Sequence, residues 1–332
     1  MRGKMMRKVF FLLAIMMVLS LVNLYAGGQR QSPASGSGEL RYPTRPITII
    51  VPTGPGGGHD LSVRTAARFS QKYLGVEMII ENRQGGGNAV GHTYFVNSAG
   101  LDGYTIVSYG NSGTTVVPFV QQVAYDPVGD EVPIGRITNQ RNVLVVKADS
   151  PLNTFEDFMR HARANRTFAS TSGVNGIDDL TVRMMNIKYN TNLVPVAYDS
   201  GSEAILAVLS GEALAAVGTM AAATPQFLAG GVKILAFLTD QPDPKYPQFK
   251  TAIEMGYDVA LNNSIGFAAK VGTDPAIIKV LENFLLQLPN DPEYVAAMDL
   301  VGLTIDPLGS EDFLRVTLDE IARVKEILAN TN

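Results

Sequence analysis

The strongest chemical signal in the chain is a short run, Val51-Pro52-Thr53-Gly54-Pro55-Gly56-Gly57-Gly58-His59-Asp60. Glycines without side chains let bare backbone approach a small ligand, and successive N–H groups in such a turn favour an anion. The effect is stronger where a helix begins, because the first N–H groups of a helix have no partner inside it. A plain structural turn is the competing reading. Nucleotide chemistry is disfavoured. The run lacks the Lys-Ser/Thr of a P-loop, and the sixth position counted from Gly54 is His59, where the dinucleotide fingerprint needs glycine. Similar turns recur at Gly85–Gly91, Gly110-Asn111-Ser112-Gly113, Thr171–Gly176 and Asp199-Ser200-Gly201-Ser202. Asn111, Ser112 and Thr114 could donate to ligand oxygens. Asp199 would repel a carboxylate unless it faces away or takes an amine or a cation.

Other chemistries are excluded by what the sequence lacks. There is no Cys, which removes thiol catalysis, disulfides, iron–sulfur clusters, zinc–thiolate sites and a lipid-modified Cys. The three His residues, His59, His92 and His161, are scattered and set no metal-ligand spacing. No Gly-x-Ser-x-Gly elbow occurs, so His59 reads as a packing or capping residue rather than a base. Asp178-Asp179 read as first-turn acids favoured by the helix dipole. No cofactor motif is present. The net charge is −4 and no long basic run appears, so nucleic acid is not an expected partner.

These turns need elements to hold them, and the chain supplies an alternation of strand and helix patterns. Strand patterns occupy Ile47–Val51, Val76–Glu81, Tyr104–Tyr109, Asn142–Lys147, Thr167–Ser170, Leu193–Tyr198, Ala213–Gly218, Val232–Thr239 and Ile265–Ala269. Helix patterns start near Asp60, a candidate N-cap, after Thr154 with Asp157 completing a capping box, and near Ile177. Two long amphipathic helices are expected over Asp274–Leu288 and Ser310–Ala329. Such alternation predicts α/β layers with mostly parallel sheets. In open sheets of this kind ligands sit beyond the carboxyl ends of the strands, where the Gly/Ser/Thr/Asn turns fall.

The start of the chain reads as a targeting segment. Four basic residues within residues 1–8 precede an apolar run from Val9 to Val22, and Ala26 precedes Gly27. This matches a secretory signal peptide over residues 1–26; an uncleaved anchor is the alternative, and the run is short for a span of roughly 20 residues. Residues 27–40 read as a flexible tether. Loss of Arg2, Lys4, Arg7 and Lys8 would take the net charge from −4 to −8. The protein is therefore expected in the periplasm or another extracytoplasmic space.

Several ordered segments resemble one family. They are Tyr42-Pro43-x-Arg45-Pro46-Ile47, Val51-Pro52-x-Gly54-Pro55-Gly56-Gly57-Gly58-x-Asp60, Glu81-Asn82-Arg83-x-Gly85-Gly86-Gly87 and Asp102-Gly103-Tyr104-Thr105. Later come Ser170-x-Ser172-Gly173, Asp179-Leu180, Tyr198-Asp199-x-Gly201-x-Glu203-Ala204, Leu209-x-Gly211 and Phe267-Ala268-Ala269. Together they resemble the substrate-binding proteins of tripartite tricarboxylate transporters, the TctC or Bug family. The resemblance implies a two-lobed, type II periplasmic-binding-protein (Venus-flytrap) fold with two mixed, mostly parallel sheets. Lobe 1 is expected over residues 41–141 plus 264–332 and lobe 2 over 142–263, with crossings near Arg141 and Asn263. It implies no enzyme and no cofactor. The expected role is a receptor, monomeric, that captures a small organic carboxylate (a di- or tricarboxylate) and delivers it to transporter membrane subunits. Service to a signalling receptor is the alternative, and a secreted carboxylate-acting enzyme a remoter one. The expected ligand donors are Thr53, Gly56, Gly57, Gly58, Asn111, Ser112 and Thr114 from the first lobe, and Ser170, Ser172, Gly173, Ser200 and Gly201 from the second. Departures from the family pattern at Asp179-Leu180, Glu212–Ala215 and Ser264 touch ligand identity more than fold.

Overall fold

The computed structural model describes residues 41–110, 112–243, 245–261 and 263–329; the expected signal peptide and tether lie outside them. The strands are β1 (Ile47–Val51), β2 (Met78–Asn82), β3 (Thr105–Tyr109), β4 (Glu131–Gln140), β5 (Asn142–Lys147), β6 (Thr167–Ser172), β7 (Leu193–Tyr198), β8 (Ala215–Thr219), β9 (Val232–Phe237), β10 (Asn263–Lys270) and β11 (Leu308–Gly309). They form two sheets, ordered β11-β4-β10-β3-β1-β2 and β7-β6-β8-β5-β9. In the first, β1 pairs in parallel with β2 and β3, while β10 runs antiparallel to both β3 and β4. In the second, β6 pairs in parallel with β7 and β8, while β5 opposes β8 and β9. Each sheet is thus mixed, with one long strand, β10 or β5, running against the common direction.

Those two reversed strands mark where the chain passes between sheets. β4 ends at Gln140 in the first sheet and β5 begins at Asn142 in the second, with only Arg141 between. The return enters β10 at Asn263, whose backbone N–H donates to Asn139 Oδ1 at 3.2 Å. The two passages therefore lie side by side.

The longer helices are α1 (Gly58–Ala67), α2 (Ala89–Ser98), α3 (Phe155–Ala164), α4 (Ile177–Tyr189), α5 (Gly201–Ser210), α6 (Met220–Leu228), α7 (Pro275–Gln287), α8 (Pro292–Leu300) and α9 (Ser310–Ala329). The capping box at α3 forms as its sequence predicts: Asp157 N–H donates to Thr154 Oγ1 at 3.0 Å, and Thr154 N–H to Asp157 Oδ2 at 3.1 Å. β1 and β5 are near-continuous apolar runs because both faces are covered. Ile47, Ile49 and Val51 pack with Ile106, Phe267 and Leu281 on the first sheet. Leu144, Val146, Phe155, Phe158 and Val217 fill one face of the second, and Val143, Val145, Ile205 and Phe237 the other. α9 joins both regions: Phe313 meets Tyr109 edge-on at 5.5 Å, and Val324 and Ile327 reach the second sheet's core.

β4 carries no strand pattern in its sequence, since Pro133, Gly135, Arg136 and Asn139 interrupt any apolar alternation. Its polar residues are buried where the chain crosses. Arg136 is held there by Asp306, through an ion pair at 2.7 Å and a bond from Nε to the Asp306 carbonyl at 2.9 Å.

Candidate functional site

A cleft of about 500 Å³ opens where the strand-to-helix turns of both sheets face each other. Its first wall comprises Thr53, Gly54, Gly57, Gly58 and His59, the loop 84–88, Ser112 and Gln140. Its second wall comprises Ser172–Val174, Tyr198–Gly201 and Thr219, and Asn263 lies at the return passage.

The first wall is built around the β1–α1 turn. Gly57 is the N-cap of α1, extended at φ −77° and ψ 165°, and no side chain caps the helix. The first amides of α1 therefore face the cleft with their hydrogen-bonding capacity open to a ligand. Thr53 Oγ1 beside them is buried and has no partner. Asp60, expected as the cap, sits instead in the first turn and anchors the loop from below. It accepts from Gly56 N at 2.9 Å, Asn82 Nδ2 at 2.8 Å and Arg64 Nε at 2.7 Å. Burial alone would raise its carboxyl pKa, but these donors hold it below the ordinary carboxylate value.

His59 is neutral. Burial first, then the neighbouring His92, lowers its pKa to about 3. Its Nε2 lies 2.6 Å from Ser108 Oγ, but Ser108 is fully buried in β3 and does not line the cleft. The pair is a packing contact and offers no accessible nucleophile, in line with the reading of His59 from sequence.

The second wall caps most of its own helices. Ser200 Oγ accepts from Glu203 N at 3.2 Å at the start of α5, and Thr219 Oγ1 from Ala222 N at 3.3 Å at the start of α6. α4 starts behind Gly176 without a cap of its own, and its Ile177 N–H donates to Ser112 Oγ at 3.0 Å. That bond spans the two walls. Gly87 makes a second close approach there, at φ +64°, where an added Cβ would lie 2.9 Å from the Val174 carbonyl oxygen.

Asp178 and Asp179 stand in the first turn of α4, as read from the sequence. Both are buried, and burial pushes Asp178 up to about 6 despite hydrogen bonds from Ser172 Oγ, Ser172 N and Asn142 Nδ2. Asp178 thereby fixes Ser172 at the cleft edge. Asp179 pairs with Arg183 Nε at 2.9 Å.

Of the residues chosen from sequence, the cleft brings together Thr53, Gly57, Gly58, Ser112, Ser172, Gly173, Ser200 and Gly201. Three are corrected. Gly56 lies off the cleft at φ +86°, with its N–H engaged by Asp60. Thr114 is fully buried, its Oγ1 accepting from Gly110 N at 3.1 Å. Ser170 is buried beneath α5, its Oγ donating to Ala204 O at 2.7 Å and Ala215 O at 3.2 Å. Asn111 lies outside the described residues.

The second glycine cluster divides between its two readings: Gly85–Gly87 line the cleft, while Gly91 packs on Pro52 with no room for a Cβ. Sequence reasoning missed Gln84, Asn88, Gln121, Gln140, Val174, Thr219 and Asn263. Thr219 and Gln84 follow strands that the sequence pattern marks, a signal the strand-end rule could have used. Gln140 ends β4, which carries no strand pattern, Asn263 begins β10, and Gln121 carries no such mark. Arg83 pairs with Glu81, and Arg136 with Asp306; neither lines the cleft.

Comparison with known proteins follows this geometry. A family model described as tripartite tricarboxylate transporter family receptor (TctC) matches residues 62–332. A UPF0065 protein of Bordetella pertussis is 28% identical over 298 residues, covering 89% of this chain and 92% of its own. Protein BugT of the same species is 26% identical over 298 residues, covering 87% and 90%. A TctC solute-binding protein from Polaromonas superposes with a TM-score of 0.71 at 25% identity, covering 87% of this chain and 99% of its own. Two Rhodopseudomonas palustris proteins share the fold. One, solved with adipate, has a TM-score of 0.81 at 22% identity and coverage of 87% and 98%. The other, with bound malate, has a TM-score of 0.77 at 21% identity and coverage of 86% and 99%.

Proposed function

This chain belongs to the tripartite tricarboxylate transporter receptor family, whose members are solute-binding proteins and not enzymes, and from that premise we propose that it captures a small organic carboxylate in the cleft between its two sheets. The observation that carries the reading is the uncapped start of α1, which opens on a cleft that the two sheets share, with Thr53 Oγ1 buried and unpartnered beside it. The first amides of α1 donate to one carboxylate group, and Ser172 and the glycine turn at Gly173 meet the ligand from the other side. Hydrogen bonds to a charged group contribute roughly 1.5–3 kcal/mol each. A few of them reach micromolar affinity, about −8 kcal/mol, after ordering costs. The adipate and malate in two proteins of the same fold support this ligand class.

Residues 41–141 plus 264–332 act as one lobe and residues 142–263 as the other, turning on the passages at Arg141 and Asn263. A ligand that touches both walls stabilises the closed arrangement over the open one. The receptor works in the periplasm and presents the closed form to the membrane subunits of a tripartite transporter.

Thermal-shift measurement over a panel of mono-, di- and tricarboxylates tests the reading. A binding acid raises the melting temperature with the logarithm of its concentration above Kd. If no organic acid moves it, the carboxylate reading fails.

A further inference from the structure

Resting on that reading, we propose that the preferred ligand is a carboxylate that also carries a protonated amine, and that Asp199 receives the amine. The argument starts from the charges around the cleft. Among the described residues that line it there is no Lys and no Arg, and burial keeps His59 neutral. One charged side chain remains, Asp199, at the turn from β7 into α5. It is exposed, and among the described residues it enters no ion pair. Its backbone N–H donates to Glu203 Oε2 at 3.2 Å, which fixes the turn through the main chain and leaves the side-chain carboxylate available.

A plain di- or tricarboxylate would bring a second or third negative charge into a cleft that holds no cation and one fixed anion. Like charges at that range oppose binding. A molecule with an ammonium beside its carboxylate satisfies both walls. The carboxylate takes the open amides of α1, and the ammonium, with three donors, takes Asp199. A bound metal ion is the weaker occupant of the same charge, since no group of three or more His, Asp or Glu among the described residues could hold one. Asp199 is then the specificity-determining residue of the second wall.

Calorimetry on the mature protein tests this with matched acids that differ only in the amine, succinate against aspartate and glutarate against glutamate. The aminated member of at least one pair is expected to bind about tenfold tighter or more, the worth of a charge-assisted bond partly open to solvent. Asp199→Asn is expected to erase that preference, weakening the aminated acid while leaving the plain diacid equal or improved. Because Asp199 is exposed, the melting temperature of the unliganded variant should stay where it was. Equal affinities within both pairs, or a preference that survives Asp199→Asn, overturns the inference and leaves the carboxylate receptor standing. Failure of all four acids and of the wider panel removes both.

Discussion

Where β1 turns into α1 the helix start is left uncapped, whereas where β7 turns into α5 and β8 into α6 the chain supplies Ser200 and Thr219 as caps. The two walls of one cleft thus treat the same backbone problem in opposite ways. On the first wall the open amides await an acceptor from outside, with Thr53 Oγ1 buried and unpartnered beside them. On the second, two of the helix starts are satisfied internally, and what faces the cleft is shape, the Ser172–Gly173 turn and the charge of Asp199. Affinity for an anion is concentrated on one side, and discrimination on the other.

The walls also oppose each other in their response to pH. His59 titrates at 6.5 when unfolded and near 3 when folded, so between those values the unfolded chain binds the extra proton. Its effect is to lower stability as pH falls through that window. Asp178 runs the other way. Its folded value, about 6, lies above the unfolded 3.8. Its contribution is present below 3.8 and lost as pH rises through 6. The largest expected effect follows from that sign. Asp178→Asn should stabilise the protein at pH 7.5 by up to about 3 kcal/mol, the free energy of a two-unit shift. The gain should disappear by pH 3.5, and urea unfolding at the two pH values checks it. A variant less stable than the parent at pH 7.5 would show that Ser172 and Asn142 favour the ionised carboxylate. His59→Gln should flatten the loss of stability between pH 6.5 and pH 3, and a parallel titration of the two proteins decides it.

Gly57→Val aims at the first wall alone. Gly57 has an ordinary φ, and a Cβ there meets no atom within 4 Å, so the fold should tolerate the change while the side chain fills the ligand's approach. Ligand affinity should fall at least about tenfold, given charged hydrogen bonds of roughly 1.5–3 kcal/mol; unchanged affinity by calorimetry would move the anion site elsewhere. Ser112→Ala removes the bond to Ile177 N–H that spans the walls. A loss of about 1 kcal/mol is expected, seen as a larger radius of gyration in X-ray scattering without ligand. Ser200→Ala should be smallest in its effect on binding. It removes a cap worth about 1 kcal/mol of stability and leaves affinity nearly unchanged. Loss of affinity equal to that of Gly57→Val would erase the contrast between capped and uncapped walls.

Much of this was legible in the chain. The apolar runs at Ile47–Val51 and Asn142–Lys147, the Thr154/Asp157 box and the glycine turns all act through neighbours in sequence. The limits were equally local. β4 was invisible because its Arg136 and Asn139 are buried by contacts with segments more than a hundred residues away. Ser170 and Ser172 share one face of one strand, yet α5 covers the first and the strand end exposes the second to the cleft. Gly56 and Gly57 are adjacent, and a single bond to Asp60 separates their roles.

By itself the sequence determined that strands alternate with helices and that anion-seeking turns follow the strands, since backbone preference and hydrophobic periodicity are short-range properties. Tertiary structure alone decided which polar groups were left without partners at the cleft. A hydrogen bond is satisfied by whichever segment arrives beside it, and Ser112 against Ile177, like Asp178 beneath Ser172, is brought there by the fold of both sheets.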